Sequence, residues 1–207
     1  MVPRQRFSIS GAAVTMEELD VSIRWDEVMD HGVLERRPMS LEEFDALPEG
    51  IRAEYVDGIA IVSPTPTGGH QDVEVEIAFA LRRAFPDAVV RIEAGIELPW
   101  GTRRVPDVMM KHVRDDVPWS TALPDVVVEV LSPLTRNEDL FRKSLDYLRA
   151  GIPQYWIADR AAHVLTVLRG TGSDWTIALE LDAGSPSGEV EVEGLGVVAL
   201  DLAELRI

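Results

Sequence analysis

Hydrophobic residues occur along this chain in short runs, and the densest is Asp125-Val126-Val127-Val128-Glu129-Val130-Leu131, closed by Pro124 and Pro133. An unbroken β-branched run of that length predicts a strand buried on both faces. Upstream, Ser40-Leu41-Glu42-Glu43-Phe44 starts a helix with a capping box. Ala53 to Val62 carries Asp57-Gly58 between two β-rich runs, the pattern of a hairpin. Val73, Ile77, Ala80, Leu81 and Ala84 share one face of a helix over His70–Phe85, which Pro86 ends. Strands are expected over Val89–Leu98 and Arg103–Met110, and the polar stretch Lys111–Leu123 reads as a loop. A helix over Asn137–Ala150 takes Leu140, Phe141, Leu145 and Leu148 as its apolar stripe and stops at Gly151. Gln154–Ala158, Val164–Leu168, Trp175–Leu181 and Val197–Leu200 are further β-like runs.

Helices interleaved with hairpins and strands predict a mixed α/β or α+β domain around a central sheet. Residues 1–38 lack a clean period, so they read as an appended arm, with a short helix around Met16–Met29 or else disordered, and 39–207 as the domain. No run reaches the roughly 18 uninterrupted apolar residues of a membrane span. The first ten residues carry no signal-peptide core, and there is no cysteine for disulfide or thiolate chemistry. These features fit a cytoplasmic protein.

Charge changes the picture. The net charge of −16 argues against a generic nucleic-acid binder. However, residues 1–50 and 171–207 carry −6 and −7, and residues 51–170 only −3. The nearly balanced middle holds Glu129.

An ionised carboxylate inside an apolar strand is costly unless paired, protonated or bound to a metal. Glu129 therefore either lies at the wet end of its strand against an arginine or has a buried partner. Asp107 follows Pro106 within the expected strand 104–110, so two acids on neighbouring strands can share a divalent cation, or both face water at sheet ends. Glu54, before the hairpin turn, is a third oxygen or an exposed strand residue. Asp139, Lys143 and Tyr147 recur every four residues on one helical face. That spacing makes a solvated ladder, or it aims Lys143 and Tyr147 at Glu129. None of the four histidines has metal-ligand spacing, so each reads first as a surface or satisfied histidine; His70, after Gly68-Gly69 at a helix start, is the one of the four expected nearest a site. The aromatic pair Tyr155-Trp156 reads as core.

Together, Glu54-Tyr55-Val56-Asp57-Gly58, Ser63-Pro64, His70, Pro106-Asp107-Val108, Val128 to Pro133, Asp139, Lys143, Tyr147 and Gly151 to Trp156 resemble the Uma2 family of restriction-endonuclease-like proteins. That family lies in the PD-(D/E)xK nuclease superfamily. The resemblance implies a mixed sheet flanked by helices and a Mg²⁺ (or Mn²⁺) site from Asp107, Glu129 and Val130. It implies Glu54, Asp107, Glu129 and Lys143 as catalytic residues, with Asp139, Tyr147 and His70 in support. The superfamily lysine belongs at 131, where this chain has Leu131; Lys143 matches its position on the following helix in this family.

The expected activity is metal-dependent hydrolysis of phosphodiesters, with DNA as partner and a homodimer by analogy. Arg103, Arg104, Arg136 and Arg142 are the cations expected to meet phosphate. Two alternatives remain: a nuclease-fold module that binds without cutting, and a hydrolase of a smaller phosphate ester.

Overall fold

The computed structural model describes residues 35–48, 50–133 and 135–207. The helix expected around 16–29 lies outside the described residues. Residues 35–38, expected in the arm, instead form an edge strand, β1 (Glu35–Pro38), paired antiparallel to β3 (Ile59–Val62). Helix α1 (Leu41–Asp45) carries the capping box read from sequence: Ser40 Oγ accepts from the Glu43 N–H, and Glu43 Oε2 accepts from the Ser40 N–H. β2 (Ala53–Val56) and β3 form the predicted hairpin. Its turn residues Asp57 and Gly58 have φ of 50° and 80°, the two positive values that a two-residue type I′ turn needs.

Helix α2 (Gly68–Ala84) is N-capped by Thr67 and buries Val73, Ile77 and Leu81. Two expected strands are each broken in two. Val89–Leu98 becomes β4 (Val89–Ile92) and β5 (Gly95–Glu97), split at Glu93 with φ of 50°. Arg103–Met110 becomes β6 (Arg103–Arg104) and β7 (Val108–Lys111), because Pro106 has no N–H for a ladder. Each break moves the chain from one sheet to the other. Asp107 therefore sits in the bend before β7, not inside a strand. The expected loop 111–123 contains a short strand, β8 (Trp119–Ser120).

β9 (Val126–Val130) is buried at every position, as its composition predicts. A π-helical turn (Glu138–Lys143) follows and runs into α3 (Ser144–Ala150). Here the expected stripe is turned outward at two of its four positions, with Leu140 and Leu148 half-buried. Phe141 and Leu145 are 64% and 66% exposed, and Glu138, Asp139, Lys143 and Tyr147 face inward. The last strands are β10 (Gln154–Asp159), β11 (Val164–Gly170), β12 (Trp175–Leu181), β13 (Ser187–Val192) and β14 (Gly196–Asp201). β13 was not expected: glutamates at 189 and 191 mask its inward Val190 and Val192.

One six-stranded sheet runs β1-β3-β2-β6-β5-β8, and another β12-β11-β10-β9-β7-β4. The second is antiparallel except for the parallel pair β9–β10. Val126, Val128 and Val130 pack towards α2 and the β13–β14 hairpin. Val127 packs the other way, with Ile96, Tyr147 and Tyr155. The second sheet is thus the middle of three layers, and Trp156 and Tyr155 are fully buried in it, as expected. This is the mixed α+β architecture that the residue pattern predicts.

Candidate active site

Pairing of Val108 with Val128 puts Asp107 and Glu129 side by side where β7 begins and β9 ends. Glu54 arrives from β2, His70 from the first turn of α2, and Asp139 and Lys143 from the π-turn. These six residues line a cavity of about 230 Å³ whose rim includes Thr67, Ser132 and Thr135.

Asp107 Oδ1 accepts from Arg52 Nη2 at 2.7 Å, and Oδ2 from the Val130 N–H at 2.7 Å. Burial would raise its pKa. The bond from His70 and the charges of Lys143, His70 and Arg52 instead hold it below the usual carboxylate range. Val130, expected as a metal ligand, contributes this N–H while its side chain joins the core.

Glu129 has the buried partners its strand demands. Lys143 Nζ donates to Oε2 at 2.9 Å and the Tyr147 hydroxyl to Oε1 at 2.7 Å. The helical face read as either a ladder or a reach towards Glu129 is the latter. Burial pushes the Glu129 pKa well above the ordinary value, which Lys143 only partly offsets. Burial would lower the Lys143 pKa, but Glu129, Glu54, Asp139 and Asp107 outweigh it and raise that pKa well above the ordinary value. Lys143 therefore stays charged, a donor and not a base.

Glu54 is buried, not an exposed strand residue. Its Oε1 accepts from the Val105 N–H and lies 3.1 Å from Lys143 Nζ; its Oε2 accepts from Arg104. Asp139 lies 3.3 Å from Lys143, and the Tyr155 hydroxyl holds its backbone carbonyl. Both Asp139 carboxylate oxygens are buried without a hydrogen-bond partner of good geometry, and burial raises the pKa.

His70 Nε2 lies 3.0 Å from Glu74 Oε1 and 3.3 Å from Asp107 Oδ2. Burial opposes a charge there, but the two carboxylates prevail and push the His70 pKa up to about 9. Donor atoms of His70, Glu74 and Asp107 all lie within 4.8 Å of one another. Glu74 was not singled out from the sequence. Its signal was a lone acid inside the apolar stripe of α2, four residues after His70. Arg52, also missed, lies in the polar link before β2.

The arrangement suits a divalent cation. His70 Nε2 and Glu74 Oε1 are buried without hydrogen-bond partners of good geometry. The cavity wall carries four carboxylates, Glu54, Asp107, Glu129 and Asp139, against two permanent cations, Arg52 and Lys143. An imidazole and oxygen donors around excess negative charge match a divalent metal. Of the expected pair, Asp107 belongs to this group, and Glu129 stands beside it, bound to Lys143 and Tyr147.

The expected phosphate contacts divide. Arg104 is fully buried, its guanidinium held by Glu54, Glu138 and Asp146, so it is unavailable to a ligand. Arg103 is 9% exposed, bonded to Asp45 and Glu97 and packed over Trp119. Arg142 is exposed but lines a groove with Arg36, Ile59 and Leu145, apart from the cavity wall. Arg136 is half-exposed near the rim and donates to Asp159.

Among known proteins, the model of the Uma2 family, described as "Putative restriction endonuclease", matches residues 41–198. A crystal structure of a "putative nuclease belonging to DUF820" from Anabaena variabilis superposes with a TM-score of 0.65 at 22% identity, covering 81% of this chain and 97% of that one. That likeness shows a shared fold. No curated protein matches. Since the family match runs over well more than half of its length, the chain belongs to the Uma2 family.

Proposed function

We propose that this chain is a metal-dependent endonuclease that hydrolyses phosphodiester bonds, with DNA as its substrate. The observation that carries this reading is the cavity wall itself: four carboxylates against Arg52, Lys143 and His70, with one of the four, Asp107, forming a metal-type donor set with His70 and Glu74. His70, Glu74 and Asp107 would hold Mg²⁺ or Mn²⁺, and the imidazole in that set suits Mn²⁺ at least as well. A bound divalent ion there would neutralise the scissile phosphate and make hydroxide available at neutral pH.

The chain's own residues supply the rest. Lys143, charged and held by Glu129, would turn a donor from Glu54 or Asp139 towards the attacking water and the charge developing on phosphate. Tyr147 and Glu129 set its direction. Arg52 and the Val130 N–H hold the Asp107 carboxylate in one orientation.

The test is cleavage of plasmid and single-stranded DNA with Mg²⁺ or Mn²⁺. Wild type should cut, and Asp107→Ala should not. Cutting that survives Asp107→Ala comes from a contaminant and removes the support. The ion pairs Arg52–Asp107 and Lys143–Glu129 favour a second reading, in which the acids are neutralised internally and the fold binds DNA without cutting. DNA binding without cleavage in either metal would select it.

A further inference from the structure

Arg160 follows β10, at the end of the sheet where β9 delivers Ser132 and Thr135 to the cavity rim. A Cβ on residue 69 would lie 2.8 Å from Arg160 Cζ and Nη1, so the guanidinium rests against the bare backbone of Gly69 in the first turn of α2. Its Nε is buried without a hydrogen-bond partner. Arg52 and Arg169 also have an unbonded buried Nε, but Arg52 pairs with Glu93 and Asp107, and Arg169 bonds the Glu191 carbonyl. Among the described residues no carboxylate pairs with Arg160. The adjacent acid, Asp159, is occupied by Arg136 and by the N–H groups of Ala161 and Ala162. In a chain of net charge −16, a partly buried arginine without an acid is out of keeping with its surroundings.

Its position makes this more costly. The first turn of a helix is its positive end, so Arg160 adds like charge to like. That arrangement weakens the fold and becomes favourable once an anion arrives. Thr67, two residues before Gly69, is on the cavity rim. Arg136, whose backbone N–H bonds the Ser132 carbonyl, stands on the other side of Asp159.

We infer that Arg160 is a substrate-binding residue that clamps a backbone phosphate of the nucleic acid next to the one being cut, with Arg136 beside it. The inference rests on the nuclease reading and adds the residue that holds the strand across the cavity mouth. The bare Cα of Gly69 is what lets a planar guanidinium lie there.

The test is binding of a fluorescein-labelled 20-base-pair duplex in Ca²⁺ over a series of KCl concentrations, with cleavage in Mn²⁺ measured alongside. Arg160→Gln should weaken binding and lower the slope of log affinity against log salt by about 1, the value of one phosphate contact. Arg160→Lys should keep the slope. Gly69→Ala keeps every charge and displaces only the flexible end of Arg160, so it should weaken binding while the melting temperature holds or rises. A wild type that binds with a slope unchanged in Arg160→Gln overturns the Arg160 assignment and leaves the nuclease reading standing. A wild type that neither binds nor cuts overturns both.

Discussion

At the scale of single residues, the site is a set of charges that exist only because of one another. Lys143 is 6% exposed and Glu129 1%, and each is the other's counter-ion. Removing one member of a buried pair costs about 3–5 kcal/mol, because the remaining charge stays buried. Lys143→Met, which keeps the aliphatic stem, should therefore lose about that much stability in urea denaturation. It should also lower DNA cleavage by about 10²-fold or more, the scale of losing a preorganised donor. Adding Glu129→Gln to the same chain should recover stability and no cleavage. Full cleavage by Lys143→Met would exclude the catalytic role.

At the scale of elements, the helix after β9 shows where sequence pattern misleads. Its apolar residues Leu140, Phe141, Leu145 and Leu148 recur at helical spacing, so the pattern aims them at the core. The structure turns the polar face in, because Glu129 needs Lys143 and Tyr147 and Arg104 needs Glu138 and Asp146. Tertiary demand overrides amphipathicity there, and the helix's own sequence contains neither Glu129 nor Arg104. The buried β9 strand, the Asp57-Gly58 hairpin and α2 were legible because each rests on a local rule. The broken strands were not legible: the residue pattern runs a strand straight through Pro106, whose missing N–H is the local sign of a break, and nothing local marks the change of sheet. That orientation is measurable. Phe141→Gln and Leu145→Gln should each shift stability by less than about 0.5 kcal/mol, as surface changes do. Tyr147→Phe, which strips a donor from buried Glu129 Oε1, should cost about 1–3 kcal/mol. The reverse order in denaturant titrations would put the apolar stripe inside.

At the scale of the whole molecule, stability and pH are linked through His70, and the proposed metal site would join them. Its folded pKa of about 9 stands above the ordinary 6.5. In metal-free protein the charged imidazole therefore contributes stability that is fully present below about pH 6.5 and lost as pH rises through about 9. A cation needs the neutral imidazole, so below pH 9 its binding displaces a proton and its affinity rises with pH. Both effects have the same sign for the difference between the two forms. The gap in melting temperature between Mn²⁺-loaded and chelated protein should widen from pH 7 to pH 9, read by calorimetry at fixed metal. A gap that is constant with pH would mean that the ion does not use His70 Nε2.

The π-turn has a genetic consequence. Such a turn spans with five residues what an α-helix spans with four, so it amounts to one inserted residue. Losing the codon of Leu140, Phe141 or Arg142 would let an ordinary α-helical ladder run through. Everything downstream in that helix would turn by about 100°, carrying the Lys143 and Tyr147 side chains off Glu129. The sheet, the hairpins and the reading frame would be untouched. A three-base deletion there should therefore abolish cleavage of plasmid DNA in Mn²⁺ while circular dichroism keeps the strand signal of the sheets.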